Sequence, residues 1–320
     1  MLRSDRLVRL ARERGWLGCQ AGLALLVASA ATAQVPRFAS STALVVLSAT
    51  ARDKHGRPVS DLRAEELRVY EDGRPQPLRH FSRAQDSPAR ILLLVDSSGS
   101  MDVRLKSTSV RMAAVQLLAA LEATDQVALA AFDHRYWGVV AFTRDRAQIL
   151  AGFDSLEPFS STALHDALDQ AAHDVASQGE GRRAVVVMTD GVDNASRQTA
   201  DAVIERARSL DVPIYAITVL SPLDDPGSPR FVGGPARSPD MLGRYATLSG
   251  GAAFAASDIG ALRRAAGQIA LELKTQYRLG FDPQPGPARF RRIEVRCTRK
   301  GVVVRTRSGY LPRREGRAGD

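Results

Sequence analysis

From Ile91 to Lys274 the chain alternates short, unbroken apolar runs with longer segments whose apolar residues recur at helical spacing. The runs "ILLLVD" (91–96), "RRAVVVMTDG" (182–191) and "VPIYAITVL" (212–220) have the pattern of strands covered on both faces. Between them lie "VRLKSTSVRMAAVQLLAALEA", "TALHDALDQAAHDVASQ" and "ASRQTADAVIERARSLD", and after them "DMLGRYATLSGG" and "DIGALRRAAGQIALELKTQ". Val110, Ala113, Ala114, Leu117, Leu118 and Leu121 share one helical stripe. "DQVALAAFD" and "YWGVVAFT" read as two adjacent strands, and "AFAA" as a short one. Strands alternating with helices predict an α/β fold, a doubly wound, mostly parallel sheet with helices on both faces.

Both flanks of this stretch have a different rhythm. "STALVVLSATARDKHGRPVSDL" predicts a strand and a turn. "AEELRVYEDGRPQPLRHFSR" predicts a helical turn, a strand at Leu67–Glu71, a turn at Asp72-Gly73 and a strand around Leu78–Phe81. "YRLGFDP", "RFRRIEVRCT" and "GVVVRTRSGYLP" return to strand alternation beyond Gln276. The expected organisation is an N-terminal β unit at 34–88, the α/β domain at 89–275, and strands at 276–312 that pair with the N-terminal unit into a small β-sandwich-like domain. The Pro/Gly/Ser-rich stretch between Val219 and Asp240 reads as an exposed loop, and 313–320 as a disordered tail.

The first 33 residues read as an export signal: a basic segment, an Ala-rich apolar run, and a small-x-small cleavage site at Ala31-Thr32-Ala33. An uncleaved anchor is the alternative, although the run is short for a membrane span. The expected location is periplasmic or secreted. Cys19 precedes most of the apolar run, which argues against a lipidation site. Cleavage would leave Cys297 alone, so no internal disulfide is expected. Of the formal charge of +9, five arginines against Asp5 and Glu13 put +3 in the signal. The rest is scattered and lacks a basic stripe with interleaved aromatics, which argues against nucleic acid as a partner.

"ILLLVDSSGSMD" ends a buried strand in a carboxylate and alternate hydroxyls. In open α/β sheets, ligands bind at the carboxyl ends of strands. Asp96, Ser98 and Ser100 lie at one such end, Asp190 at another, and Thr162 at the start of a helix in "FSSTALHDAL". Converging, they offer two carboxylates and three hydroxyls, an all-oxygen set that suits a hard divalent cation. Mg²⁺ is the expected ion, with Mn²⁺ or Ca²⁺ as alternatives. Ser98 and Ser100, two residues apart, face the same way along an extended tip. If Asp190 acts through water, the ion stays underneutralised and favours an incoming carboxylate. A protein ligand offering an Asp or Glu is therefore the expected partner.

"DSSGSM", "STAL" and "TDG", in this order, resemble the metal-ion-dependent adhesion site of von Willebrand factor type A (VWA) domains, whose pattern is Asp-x-Ser-x-Ser, then Thr, then Asp. Matched one at a time, Asp96, Ser98 and Ser100 fall on the first loop, Thr162 on the second and Asp190 on the third. The resemblance covers roughly 90–274 and implies a Rossmann-like VWA fold that binds partners rather than an enzyme. Ser160-Ser161 stand where family members often carry Gly-Gly or Gly-Ser. The flanking segments are similar to the VWFA-related Acidobacterial domain family of exported bacterial proteins.

Other readings compete. Asp96 and Thr162 suit helix N-caps, and Asp193 and Asn194 suit turn or supporting roles. A hydrolase reading would make Ser98 or Ser100 a nucleophile with His165 as the nearest candidate base, but no Gly-x-Ser-x-Gly elbow or second carboxylate cluster accompanies it. A structural reading would have the metal only lock three loops. Trp137, Phe159 and the Pro/Gly-rich loop are candidates to border a docking face.

Overall fold

The computed structural model describes residues 44–83, 87–101, 104–158, 161–179, 181–190, 193–220 and 239–312. The expected export signal, the Pro/Gly-rich loop at 221–238, Phe159, and the tail at 313–320 lie outside the described residues. Thr42–Asp320 forms one compact unit.

The chain runs β1 (Val45–Arg52), β2 (Leu67–Glu71), β3 (Arg74–Gln76), β4 (Leu78–Arg83), β5 (Ala89–Asp96), α1 (Arg104–Ala120), β6 (Gln126–Phe132), β7 (Tyr136–Thr143), α2 (Arg146–Phe153), α3 (Leu164–Ser177), β8 (Arg182–Thr189), α4 (Ala200–Leu210), β9 (Ile214–Val219), α5 (Pro239–Ser249), β10 (Ala253–Ala256), α6 (Ile259–Lys274), β11 (Tyr277–Phe281), β12 (Arg291–Cys297), β13 (Val303–Thr306) and β14 (Gly309–Tyr310). A six-stranded sheet has the order β10-β9-β8-β5-β6-β7. It is parallel except for β7, which runs antiparallel to β6.

The unbroken apolar strands are explained by cover on both faces. Ile91, Leu93 and Val95 of β5 pack with α1, α2 and α6, whereas Leu92 and Leu94 pack with α3, α4 and α5. Each helix buries the stripe its spacing predicts. Val110, Ala113, Ala114, Leu117 and Leu118 of α1 are buried, and Leu121 packs partly buried at the end of the stripe. Helix α2 was not expected from the sequence. It has two turns and buries only Ile149 and Phe153, too few for a clear period, but Asp145 caps it by accepting from the amides of Ala147 (2.9 Å) and Gln148 (3.2 Å).

The flanking strands form two four-stranded sheets, β13-β1-β11-β4 and β14-β12-β2-β3. Their inner faces share one core that includes Leu47, Leu62, Val69, Tyr277, Phe281, Val295 and Tyr310. One local expectation changes. Asp72 (φ 48°) and Gly73 (φ 79°) do make a tight turn, but the strand that pairs back onto β2 is β3, and Leu78–Arg83 joins the other sheet. "GVVVRTRSGYLP" supplies two strands: β13 and β14 lie in different sheets, and the chain crosses between them at buried Arg307. The Arg307 guanidinium donates to the carbonyls of Val46 (2.7 Å) and Arg208 and lies 3.5 Å from Asp211.

Polar groups tie the sandwich to the α/β layers. Asp211 closes α4 at φ 52° and accepts from the amide (3.1 Å) and hydroxyl (3.0 Å) of Ser48. Glu272 of α6, 1% exposed, pairs with Arg52 of β1 and Arg305 of β13. Arg182 donates to the carbonyls of Ser87 (2.6 Å) and Leu273 (2.7 Å). Helix α5 ends at Gly250-Gly251, as its sequence suggested. A side chain at 251 would meet the Ile214 carbonyl oxygen at 1.9 Å, so the helix can approach β9 only through glycine.

Candidate functional site

Asp96 ends β5 at the centre of the sheet. Val95 pairs with Met188 of β8 on one side, and Asp96 pairs with Phe132 of β6 on the other. The parallel register therefore sets Asp96 beside Thr189, and Asp190 follows at the same strand ends. Asp96 is 2% exposed and Asp190 fully buried.

The first loop folds onto its own carboxylate. The Ser98 amide donates to Asp96 Oδ1 at 2.9 Å, and the Ser98 hydroxyl hydrogen-bonds the same carboxylate. The Thr189 hydroxyl donates to Asp96 Oδ2 at 2.6 Å. Ser97 faces elsewhere, its amide on the Phe132 carbonyl and its hydroxyl on the Glu157 carbonyl, both at 2.8 Å. Ser100 lies in the 3₁₀ turn Gly99–Met101, and its side chain lies outside the described residues.

The second and third loops are bonded to each other. The Thr162 amide donates to Asn194 Oδ1 at 2.8 Å, and the Thr162 carbonyl accepts from the amides of Asn194 (3.0 Å) and Ala195 (3.1 Å). The Ala163 amide donates to the carbonyl of Asp133, at the end of β6, at 2.7 Å. Thr162 is not the cap of α3. Ala163 holds that position, without a side-chain bond. The Thr162 side chain, 3% exposed, makes no hydrogen bond among the described residues.

Electrostatics at this edge favours a cation. Burial raises the Asp96 pKa to about 6 and outweighs the hydrogen bonds from Ser98 and Thr189; the neighbouring Asp190 charge adds to the rise. The partners of Asp96 are neutral donors, and the charge that bears on it is a second carboxylate. Among the described residues no three His, Cys, Asp or Glu side chains cluster into a cage. The available donors are two carboxylates and hydroxyls, a set that fits a hard, oxygen-seeking ion and not a thiolate- or imidazole-seeking one.

Three contributors were not singled out from the sequence. Thr189 is a polar residue at the end of an apolar run, a signal overlooked beside Asp190. Ser97 anchors the loop through contacts distant in sequence. Asp133 ends the third neighbouring strand, is 3% exposed, and accepts from the Arg135 amide at 2.8 Å. Beside the site, His165 Nδ1 lies 2.8 Å from the Tyr245 hydroxyl and Nε2 lies 3.7 Å from Asp193. The Ser196 hydroxyl donates to Asp193 at 2.6 Å.

Residues 91–192, which contain all three loops, match the family model for the von Willebrand factor type A domain. That stretch is a VWA domain. Among curated proteins none matches the sequence. Solved structures similar to the VWA-domain chain include an aerotolerance-related membrane protein from Bacteroides fragilis, at 20% identity over 57% of this chain and 98% of that one, TM-score 0.47. A von Willebrand factor type A protein from Catenulispora acidiphila aligns at 13% identity over 86% of this chain and 75% of that one, TM-score 0.49. The von Willebrand factor domain of the type V pili tip protein Mfa5 from Porphyromonas gingivalis aligns at 16% identity over 57% of this chain and 94% of that one, TM-score 0.44. Among the described residues of the VWA-domain protein, no helix is long and apolar enough to cross a membrane.

Proposed function

We propose that this is an exported binding protein whose VWA domain holds a divalent cation, Mg²⁺ first among candidates, and engages an Asp or Glu of a protein partner through it. Asp96, Ser98, Ser100, Thr162 and Asp190 are the residues assigned to the ion. The reading rests above all on the two buried carboxylates, Asp96 and Asp190, at the ends of adjacent strands, where burial first and the Asp190 charge second raise the Asp96 pKa. Two carboxylates in a dry site repel, and a cation resolves that cost. The ion, when bound, would supply positive charge and an exchangeable coordination position. The chain's own residues supply the rest: Thr189 and the Ser98 amide orient Asp96, and Asn194 holds the Thr162 loop against the third one.

The geometry supports binding over hydrolysis. His165, the candidate base, turns its ring nitrogens toward Tyr245 and Asp193. The test is a pull-down from the native source with and without chelator, alongside Asp96→Ala. The expected result is a partner captured only with Mg²⁺ and lost in the variant, while calorimetry finds no Mg²⁺ uptake by the variant. Equal capture by the variant and the unchanged protein overturns the adhesion reading. Metal-dependent melting without any metal-dependent partner would leave the cation a purely structural role.

A further inference from the structure

A second charged feature lies on the β-sandwich, on elements that contribute nothing to the VWA site. β1 and β13 pair with Arg52 opposite Val303, so the turn after β1 and the turn before β13 lie side by side. Where they meet, a methyl on Gly301 would stand 3.9 Å from Lys54 Cβ. Between the turns is a cleft of about 460 Å³ lined by Lys54, His55, Arg57, Arg299 and Lys300, with Asp53 as its one carboxylate.

The cations are of two kinds. Arg57 is held by Asp53, Nε to Oδ2 at 2.8 Å, and Arg299 by Glu66 at 2.9 Å and Asp61 at 2.7 Å. These pairs fix the walls. Asp53 also accepts from the amides of His55 (2.8 Å) and Arg57 (2.9 Å), which braces the first turn. Lys54 and Lys300, both exposed, have no carboxylate partner among the described residues, nor does His55. Two unpaired ammonium groups beside an imidazole on a braced frame make a site for anionic oxygen.

We propose that this cleft binds the phosphate groups of a flexible anionic polymer. Each internal phosphate of such a chain offers two non-bridging anionic oxygens, one for each of Lys54 and Lys300. The volume exceeds that of one such group, so adjacent charges along a chain fit better than a lone ion. No Phe, Tyr or Trp lines the cleft, so it has no platform for stacked bases and nucleic acid is disfavoured. A flat membrane is disfavoured too, because Asp61, Glu65 and Glu66 line the adjoining cleft, which shares Arg299, and would face the same anionic surface.

The test is titration of the full chain with inorganic polyphosphate in chelator, which removes any contribution of the VWA site and keeps this outcome separate from that of the adhesion reading. The expected result is binding that weakens with salt, with a log–log slope of about −2 for two to three contacts. Affinity should fall about tenfold or more in the Lys54→Ala/Lys300→Ala variant, whose circular dichroism should be unchanged because both side chains are exposed. Polyphosphate affinity undiminished in that variant overturns the proposal. So does equal affinity for polyglutamate of the same charge, or binding only to phosphatidylglycerol vesicles.

Discussion

The Thr189 hydroxyl reaches Asp96 Oδ2 across two neighbouring parallel strands at 2.6 Å, with both residues buried. The contact fixes the rotamer of the carboxylate on which the first loop is folded. Hydrogen bonds to charged groups contribute about 1.5–3 kcal/mol. Thr189→Val keeps the shape and removes the donor, so in chelator at pH 7.5 it should lower unfolding stability by about 1–2 kcal/mol and weaken Mg²⁺ uptake. Urea melts and calorimetry measure both; an unchanged urea midpoint would show the bond to be incidental.

Asp96→Asn should separate stability from binding. It removes one of two neighbouring buried carboxylates and leaves an acceptor for the Ser98 amide. In chelator the variant should melt at or above the temperature of the unchanged protein. Mg²⁺ at a hundred times its Kd should stabilise the unchanged protein by about 2.7 kcal/mol and the variant not at all. A Mg²⁺-induced shift of equal size in both would place the ion elsewhere.

The raised Asp96 pKa sets a pH dependence for the metal-free protein. The folded value is about 6 against an ordinary 3.8. Between these values the folded state holds a proton that the unfolded chain has released. This group's contribution to stability is therefore fully present below about pH 4 and is lost as pH rises through about 6. Stability curves of chelator-treated protein, compared with Asp96→Asn, should differ in slope across that window. Parallel curves would mean that Asp96 is already charged there.

Glu272 is the main ionic tie between α6 and the sandwich. Its side chain is 1% exposed, while Arg52 and Arg305 keep 30% and 27% of theirs. Removing one partner of a buried pair costs about 3–5 kcal/mol, and the partial exposure of the arginines puts this case at the lower end. Glu272→Gln should cost about 3 kcal/mol in urea unfolding. A loss under about 1 kcal/mol would mean the arginines rehydrate freely and the tie is weak.

The sequence by itself determined the α/β core, because a strand covered on both faces must be apolar throughout and a helix on its surface must carry a stripe. Those periods are local and survive in a string of letters, as in "ILLLVD" and the stripe from Val110 to Leu118. The element edges near which Asp96, Ser98, Ser100, Thr162 and Asp190 lie were legible for the same reason, whereas their joint role toward an ion is a proposal. Helix α2 was not legible, since two buried residues make no period. Only the tertiary structure decided which strand pairs with which. Val303–Thr306 and Gly309–Tyr310 lie in one short stretch of sequence yet enter different sheets, because buried Arg307 turns the chain toward Val46 and Asp211, more than ninety residues away. It also decided what surrounds the carboxylates. That Thr189 bonds Asp96, and that Asn194 rather than a helix cap holds Thr162, follows from parallel register and loop packing, long-range contacts that no local pattern encodes.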